Sequence, residues 1–386
     1  MAITADSPHP LLPALPGELA RLAEGVTLPD PMDAPALRWG IIGAGGIAKT
    51  FAHDVPAHTR SRIVAVAARD LDRATRFSRE LGVGRAYGRY EELVADPDVD
   101  AVYVSTIHPL HAQHALLALH AGKPVLVEKS FTMNAAQARE VVDAARLAGL
   151  FVMEAMWSRH LPHYRVIRSI IKNGGLGRVV SAQADHGQSL RHIARLVQPE
   201  LGGGALLDLG IYPVSFLHDV LGAPASVTAV GRPIDGDFGI SKSSRPVRID
   251  QGIAAVLRSS PANDATGRGG VGPGGALGVA RCNLDGRSAT SAEIVFEHGA
   301  LELPTQFYRP GVLRLRSFPA SGPADGSTVD WDATVPAGFQ YEAAEVARCL
   351  AAEATQSADM TWQDTVEVME ILDAIRAQVG IVYPWE

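Results

Sequence analysis

Lys129 and Tyr212 are the side chains that the sequence places best for moving a proton. Lys129 and Glu128 end an apolar run, and Tyr212 follows Asp208 by four residues, so a helix would project the latter two from one face. A tyrosine with a pKa of about 10 is a poor base at neutral pH, but a lysine ammonium nearby would stabilise its phenolate. Lys129, Tyr212 and Asp208 are therefore the expected catalytic residues, acting on a hydroxyl group.

Both segments also have a purely structural interpretation, which the residues alone leave open. Glu128 and Lys129 can be a charged pair that ends a strand at the surface. Tyr212 can pack its ring on an amphipathic helix and form a local hydrogen bond, which is the commoner fate of a single tyrosine.

A glycine-rich turn and an arginine indicate a dinucleotide site. The turn Gly43-Ala44-Gly45-Gly46-Ile47-Ala48 follows an apolar run and fits the pattern G-x-G-x-x-A between a buried strand and a helix, whose first amides can hold a pyrophosphate. The next β-like run, 63–68, is followed by Arg69 rather than by an acid. Small Ala68 leaves room, and a guanidinium matches a ribose 2′-phosphate in charge and geometry. The expected cofactor is therefore NADP(H).

Other candidate residues follow the predicted strands. Trp157 could wall the nicotinamide pocket or stack on a sugar, and His108 is expected to line the cofactor cleft. The expected cofactor-binding residues are Gly43, Ala44, Gly45, Gly46, Ile47, Ala48, Arg69, Asp70, Arg73, Ser105, Thr106, His108, His111, Glu128, Lys129, Trp157 and Arg159. The expected substrate-binding residues are Lys129, Trp157, His160, His186, Asp208 and Tyr212.

His108, His111 and His114 also raise the question of a metal site, because His111 and His114 share a helical face. Zinc usually needs further ligands, and neither an H-E-x-x-H motif nor a cysteine pair accompanies these histidines. No metal is expected.

Composition limits the class of protein. The chain has 386 residues, enough for two domains, with ordinary hydrophobic (47%) and charged (20%) contents. Its net charge of -7 and the lack of a basic stripe argue against nucleic-acid binding. The two cysteines, Cys282 and Cys349, form no disulfide framework, so the cytoplasm is the expected compartment. No signal peptide and no apolar run of about twenty residues are apparent, so no membrane association is expected.

The order of predicted elements indicates two domains and two flanking segments. Residues 1–36 are rich in proline and are expected to form an arm that is mobile or laid along a partner subunit. Residues 37–157 alternate β and α, which predicts a doubly wound parallel sheet. Residues 158–338 contain strands without intervening helices and a glycine-rich insertion near 261–278, which predicts an α+β domain on a mainly antiparallel open sheet. Residues 339–386 are expected to form helices that return to pack on the domains.

With these residues in view, the chain resembles the glucose-fructose oxidoreductase and inositol dehydrogenase (Gfo/Idh/MocA) family from about residue 37 to residue 384. The segments 67–70, 153–157, 203–212 and 380–384 look most like its branch of dihydrodiol dehydrogenases and NADP-dependent D-xylose dehydrogenases. The resemblance implies a two-domain NADP-dependent dehydrogenase with Lys129 and Tyr212 as the catalytic pair. It also implies a homodimer or homotetramer formed through the open face of the second sheet.

The expected function is reversible hydride transfer between NADP(H) and a sugar, polyol or cyclic diol. Two alternatives remain: a regulator that binds NADP(H) without turnover, and an NAD-dependent glycoside hydrolase of the same fold. The presence of both Lys129 and Tyr212 argues against the first, and an acid in place of Arg69 would favour the second.

Overall fold

The chain is represented by a computed structural model that describes residues 12–235, 247–259, 275–318 and 326–385. Its helices are α1 (Gly17–Leu22), α2 (Gly46–His58), α3 (Leu71–Leu81), α4 (Tyr90–Val94), α5 (His111–His120), α6 (Ala135–Ala148), α7 (Pro162–Asn173), α8 (Ile211–Leu221), α9 (Phe339–Ala351) and α10 (Trp362–Val379). Its strands are β1 (Arg38–Ile42), β2 (Arg62–Ala67), β3 (Arg85–Tyr87), β4 (Ala101–Val104), β5 (Val125–Glu128), β6 (Val152–Ala155), β7 (Val179–Gly187), β8 (Pro224–Asp235), β9 (Arg248–Ser259), β10 (Leu277–Asn283), β11 (Ala292–Phe296), β12 (Gly299–Leu303), β13 (Val312–Ser317) and β14 (Thr328–Asp332).

The chain divides into two compact units. The parallel-sheet unit comprises Asp30–His160 and Ala337–Met369. The antiparallel-sheet unit comprises Met1–Pro29, Leu161–Pro336 and Glu370–Glu386. Each unit is therefore assembled from segments that are distant in sequence.

The parallel-sheet unit contains a six-stranded sheet in the order β3-β2-β1-β4-β5-β6. All its neighbouring strands pair in parallel. Strands β4, β5 and β6 are buried at every position, as expected for apolar runs covered by helices on both faces. The strand order reverses between β1 and β4, and ligands of open α/β sheets bind at the carboxyl edge beside such a reversal. The predicted doubly wound sheet is confirmed.

The antiparallel-sheet unit contains an eight-stranded sheet in the order β14-β13-β12-β11-β7-β10-β9-β8. Only β7 and β10 pair in parallel; the other neighbours are antiparallel. Helix α8 packs on β7 and β10. Residues alternate between buried and more exposed along β10 and β11, as in a sheet with one covered and one open face. The predicted mainly antiparallel open sheet is confirmed. Most of the predicted glycine-rich insertion falls on 260–274, outside the described residues.

No apolar run long enough to span a membrane was expected, but the segment Pro199–Leu221 is one. By length and composition alone it could cross a membrane. The apolar part of this segment is completely buried in the structure, as the core helix of a folded domain also is. Its apolar character is therefore explained by its place in the core of the antiparallel-sheet unit.

The described part of the proline-rich N-terminal segment packs on the chain itself, which differs from the predicted arm. Leu19 and Leu22 of α1 are buried, and the Asn173 side chain donates a hydrogen bond to the Leu22 carbonyl (3.0 Å). Further along the segment, the Asp30 carbonyl accepts a bond from the Arg348 guanidinium (2.7 Å) in the parallel-sheet unit. The short helix hidden among the prolines supplies the apolar face that anchors the segment.

The C-terminal helices contribute to both units. Helix α9 packs on α2 and on the turn Trp157–His160 within the parallel-sheet unit. At the end of α10, Gln378 accepts a hydrogen bond from the Ala229 amide (2.9 Å) and donates one to the Val227 carbonyl (3.0 Å) in the antiparallel-sheet unit.

Candidate functional site

The glycine turn after β1 has the backbone geometry of a phosphate-binding loop. Gly43 has a φ of +105°, and a Cβ added there would lie 2.9 Å from the Ser105 carbonyl carbon and oxygen. The Ser105 hydroxyl donates to the Gly43 carbonyl (3.0 Å) and so holds the turn against β4. A Cβ at Gly46, the first residue of α2, would meet no atom within 4 Å. The space beside the first amides of α2 is therefore open to a ligand.

Arg69 lies at the end of β2 beside this turn and is exposed. No hydrogen bond or ion pair of Arg69 is found within the described ranges of the chain. Burial raises the pKa of the nearby Tyr90 hydroxyl, and the positive charges of Arg69 and Arg73 oppose that shift. Arg69 thus presents an exposed guanidinium that forms no ion pair with a carboxylate in the described part of the chain.

Asp70 and Arg73 hold the backbone around the turn. The Asp70 carboxylate accepts a bond from the Arg73 amide (2.7 Å) and caps α3. The Arg73 guanidinium donates to the Ala44 carbonyl (3.1 Å). Both were expected to bind cofactor, and both have contacts that shape the loop. Arg69 makes no such contact among the described residues.

The histidines after β4 are engaged with the backbone and with a threonine. The His111 ring nitrogens lie 2.9 Å from the Ser130 carbonyl and 3.0 Å from the Thr106 carbonyl. Burial lowers the pKa of His111, and the hydrogen bonds to the Ser130 and Thr106 carbonyls oppose that shift. The Thr106 hydroxyl lies 3.0 Å from His114 Nδ1, and the His108 ring centre lies 5.5 Å from that of His111. His111 therefore ties the loop after β4 to the segment after Lys129, and this geometry does not favour a metal site.

Glu128 and Lys129 lie at the carboxyl end of β5, as predicted. The Tyr103 hydroxyl donates to Glu128 Oε1 (2.5 Å), and the Lys129 amide donates to Glu128 Oε2 (3.2 Å). The Lys129–Ser130 peptide bond is cis. Lys129 itself is half-buried. Glu128 is therefore held in one orientation beside a lysine that starts from the ligand-binding edge of the sheet.

Two further buried carboxyl groups belong to this unit, and sequence reasoning missed both. Glu154 on β6 accepts a hydrogen bond from the Phe131 amide (3.0 Å), and burial raises its pKa to about 7. Burial raises the pKa of Glu342 on α9 well above its usual value, and the negative charge of Glu128 adds to this. Glu154 lies inside an apolar run and Glu342 in an ordinary helix, so only their burial distinguishes them.

The turn after β6 places its polar side chains inside the unit. The Trp157 ring stacks on Phe339, with ring centres 4.8 Å apart. Arg159 is fully buried, and its guanidinium lies 3.7 Å from the Asp364 carboxylate. The His160 ring is buried beside Asp359, with 4.0 Å between Nδ1 and Oδ2. Arg159 and His160 thus lie next to buried or half-buried aspartates of the same unit. These aspartates are about two hundred residues away in sequence, so no local spacing indicates the contacts.

In the antiparallel-sheet unit, Asp208 and Tyr212 lie on the polypeptide that enters α8. Residues Leu206–Gly210 form a π-helical turn that leads directly into α8 at Ile211. The Arg195 guanidinium donates to the Asp208 carboxylate (2.8 Å). The sequence suggested that one α-helix carries both Asp208 and Tyr212. In the structure Tyr212 lies on α8, whereas Asp208 lies in the π-helical turn before it.

Tyr212 belongs to a group of aromatic rings with His186. The His186 and Tyr212 ring centres are 5.3 Å apart, and Tyr308 stacks on His186 at 4.5 Å and lies 4.7 Å from Tyr212. The Gln188 amide nitrogen lies 2.7 Å from His186 Nε2 and 3.3 Å from the Tyr308 hydroxyl. The structure thus brings together the predicted residues His186 and Tyr212, and adds Tyr308 and Gln188.

Tyr308, Gln188 and Arg195 were not predicted. Tyr308 lies between two strands and carries no motif, and only the tertiary fold brings it to Tyr212. Gln188 follows His186 by two residues, the spacing that puts strand residues on one face, so its proximity could have been noted. Arg195 lies in a short 3-10 helical turn, Ala194–Val197, that is too short to show a periodic pattern.

Comparison with known proteins gives consistent matches along the chain. Residues 37–156 match the family model described as oxidoreductase family, NAD-binding Rossmann fold, and residues 164–302 match the GFO/IDH/MocA C-terminal domain. The trans-1,2-dihydrobenzene-1,2-diol dehydrogenase of Danio rerio is 35% identical over 353 residues, which cover 90% of this chain and 98% of the relative. The same enzyme of Bos taurus is 35% identical over 357 residues, with the same coverage.

Solved structures with a similar fold include two oxidoreductases. A 3-ketoreductase from Actinomadura kijaniata, KijD10, in complex with NADP and TDP-benzene has a TM-score of 0.73 and 25% identity, covering 90% of this chain and 99% of that one. Levoglucosan dehydrogenase in complex with NADH and levoglucosan has a TM-score of 0.73 at 19% identity, covering 90% of this chain and 97% of that one. At such identity the second likeness concerns the fold alone.

Proposed function

Since the chain belongs to the Gfo/Idh/MocA oxidoreductase family, we propose that it is an NADP-dependent dehydrogenase acting on a hydroxyl group of a sugar, polyol or cyclic diol. One observation carries the cofactor part of the proposal. Arg69 is an exposed cation without a protein partner among the described residues, and it stands beside a glycine turn shaped for phosphate.

The residues at the carboxyl edge of the parallel sheet fit a phosphorylated dinucleotide. Gly43 adopts a backbone conformation that disfavours a side chain, and the first amides of α2 are open to a pyrophosphate. Arg69 would pair with the 2′-phosphate, and Arg73 keeps the loop in place through the Ala44 carbonyl. When bound, the nicotinamide supplies or accepts the hydride.

Proton transfer is assigned to Tyr212, with Lys129 assisting. During oxidation the Tyr212 phenolate would take the proton of the substrate alcohol and become a neutral hydroxyl, which would return that proton during reduction. The Lys129 ammonium would stabilise the phenolate that is present before oxidation and is formed again by reduction. Asp208, which accepts a hydrogen bond from the Arg195 guanidinium (2.8 Å), lies on the turn that leads to Tyr212. Two kinds of observation support these roles. The phenol can exchange a proton and the ammonium can stabilise the phenolate, and hydrogen bonds to Glu128 and ring contacts of Tyr212 order the residues around them within each unit.

The proposed substrate class follows the relatives. The curated relatives carry the name of a dihydrodiol dehydrogenase, and the solved relative at 25% identity is a 3-ketoreductase. One name gives a diol as the group that is oxidised and the other gives a ketone as the group that is reduced. The aromatic rings of Tyr212, Tyr308 and His186 would suit the apolar face of a ring-shaped substrate.

A spectrophotometric screen tests the proposal. Aldoses, anhydrosugars, inositols and cyclic diols are incubated with the enzyme and NADP or NAD in parallel, and absorbance at the nicotinamide band is followed. We expect net NADPH formation with at least one secondary or anomeric alcohol. Binding of NADP(H) without turnover of any substrate would favour a regulator, and glycoside cleavage without net absorbance change would favour an NAD-dependent hydrolase.

We further propose that the open face of the antiparallel sheet binds a second copy of the chain. Val230 on β8 and Leu277 on β10 are 69% and 52% exposed. Val256 on β9, also exposed, pairs directly with Val279 on β10, so the apolar surface continues across neighbouring strands. A continuous exposed apolar patch is characteristic of a protein contact.

Replacing both Val230 and Leu277 by Asp is expected to convert the oligomer to a monomer, because the substitutions remove two apolar side chains and bring two charges into the proposed apolar contact. Size-exclusion chromatography with light scattering measures the mass. Leu147→Asp is the control, because Leu147 on α6 is 90% exposed and lies in the other unit. An unchanged mass in the double variant would assign self-association to another surface.

A further inference from the structure

Asp250 carries a fully buried carboxyl group in the antiparallel-sheet unit. It lies on β9 with no exposed surface. Its Oδ2 accepts a hydrogen bond from the Leu206 amide (2.9 Å), and the Ala205 amide also bonds to this carboxyl. Leu206 is the first residue of the π-helical turn that leads into α8. Asp250 therefore caps, from a neighbouring strand, the start of the segment that carries Asp208 and Tyr212.

The backbone around this cap is held closely on several sides. Gly204 has a φ of +113°, and a Cβ added there would lie 2.5 Å from Asp250 Oδ1. A Cβ added at Gly210 would lie 3.0 Å from Cys282 Sγ. The Tyr383 hydroxyl donates to the Gly203 carbonyl (2.9 Å). The segment from Gly203 to Gly210 thus has little room to shift while Asp250 is in place.

A buried carboxylate is a costly way to hold a helix. Burial raises the pKa of Asp250 to about 7, with the amide hydrogen bonds acting in the opposite direction. A neutral side chain such as Asn would cost less to bury but would accept the amide hydrogen bonds more weakly. What a carboxylate adds is a short-range attraction for both amides at the positive end of the turn, which restricts its orientation.

We propose that Asp250 is a positioning residue of the reaction: it fixes the start of the π-helical turn and thereby the placement of Asp208 and Tyr212, without touching the substrate. The proposal rests on the assigned role of Tyr212 as proton donor and acceptor. A misplacement of about 1 Å can cost about 100-fold in rate. Asp250 therefore contributes to kcat rather than to the binding of NADP or alcohol.

The test compares Asp250→Asn with Ser259→Ala. Ser259 lies on the same strand and is also buried, and its hydroxyl accepts a backbone hydrogen bond from Ala276 (2.7 Å), but it does not contact the π-helical turn. Hydrogen–deuterium exchange of the peptide 203–212 is measured first, because it requires no turnover. We expect faster exchange at the Ala205 and Leu206 amides in Asp250→Asn and unchanged exchange there in Ser259→Ala. Equal exchange in wild type and Asp250→Asn would overturn the proposal.

Kinetics then separate positioning from a general loss of structure. Asp250→Asn is expected to lower kcat about 10- to 100-fold, with KM for the alcohol and Kd for NADP unchanged. In a Tyr212→Phe background the same substitution should cause no further loss, because both changes act on one step. An equal loss in that background would show that Asp250 does not act through Tyr212.

Two unfavourable outcomes, an unfolded Asp250→Asn variant and an inactive wild type, still leave the proposal testable. If Asp250→Asn does not fold, Asp250→Ser retains one hydroxyl acceptor and should show a smaller loss of kcat in the same direction; wild-type kcat and exchange in that variant would overturn the proposal. If the wild type oxidises no alcohol, the proposed function fails, whereas the exchange measurement still decides whether Asp250 holds the turn.

Discussion

Tyr212→Phe is expected to lower kcat for alcohol oxidation by about 10²- to 10⁴-fold, the usual contribution of a positioned acid or base. The substitution removes one hydroxyl and retains the ring, which packs 5.3 Å from His186 and 4.7 Å from Tyr308. We therefore expect the protein to stay folded and to bind NADP with unchanged affinity. Steady-state rates on the best substrate of the screen, together with cofactor titration, measure both quantities.

The matched control for this substitution is Tyr308→Phe. It removes a hydroxyl from the adjacent ring, where the Gln188 amide lies 3.3 Å away. Loss of that bond is expected to change kcat by less than about tenfold, since a neutral hydrogen bond contributes about 0.5–1.5 kcal/mol. Tyr212→Phe with near wild-type turnover would remove Tyr212 from the mechanism.

Arg69→Ala is expected to raise KM for NADP by about 10- to 100-fold and to leave KM for NAD nearly unchanged. A hydrogen bond to a charged group contributes about 1.5–3 kcal/mol, and NAD carries no 2′-phosphate to accept it. Because Arg69 has no protein partner within the described residues, its removal breaks no internal ion pair. The ratio of kcat/KM for the two cofactors gives the effect directly.

Arg62→Ala serves as the comparison for Arg69→Ala. Arg62 is the exposed first residue of β2, at the opposite end of the strand from Arg69. Its loss removes the same charge from the same strand without touching the glycine turn. If both variants change the NADP to NAD ratio equally, or if Arg69→Ala leaves the ratio unchanged, the cofactor assignment is wrong.

The doubly wound sheet could be predicted because its signals are local. Runs such as 101–104 and 125–127 are apolar at every position, which is typical of parallel strands covered on both faces. Strand β3 spans three half-buried residues, Arg85–Tyr87, and so has no detectable pattern of its own. The N-terminal segment shows the limit of composition, because its prolines indicate an extended arm while Leu19 and Leu22 anchor it.

The candidate site could be predicted only where a motif carries it. Gly43 and Arg69 belong to a dinucleotide-binding pattern in which the glycine turn and the residue after the second strand have a fixed spacing. Asp208 and Tyr212 lie in one segment that begins with glycines. The packing of Tyr308 on His186 depends on residues more than a hundred positions apart. The burial of Glu342 and Asp250 depends on what covers them, which no local pattern contains. Motifs thus point to the residues proposed to react, whereas the neighbours that hold them become visible only in the tertiary fold.

The division of each unit among distant segments has a consequence for synthesis on the ribosome. The Glu18 carboxylate meets the Ser317 hydroxyl, and the Pro13 carbonyl meets the Trp331 indole, across about three hundred residues of chain. The parallel-sheet unit likewise needs α9, which is translated after the whole antiparallel sheet. A nascent chain released at residue 336 would lack part of both units. The last contacts of both units therefore form late and join residues that are distant in sequence.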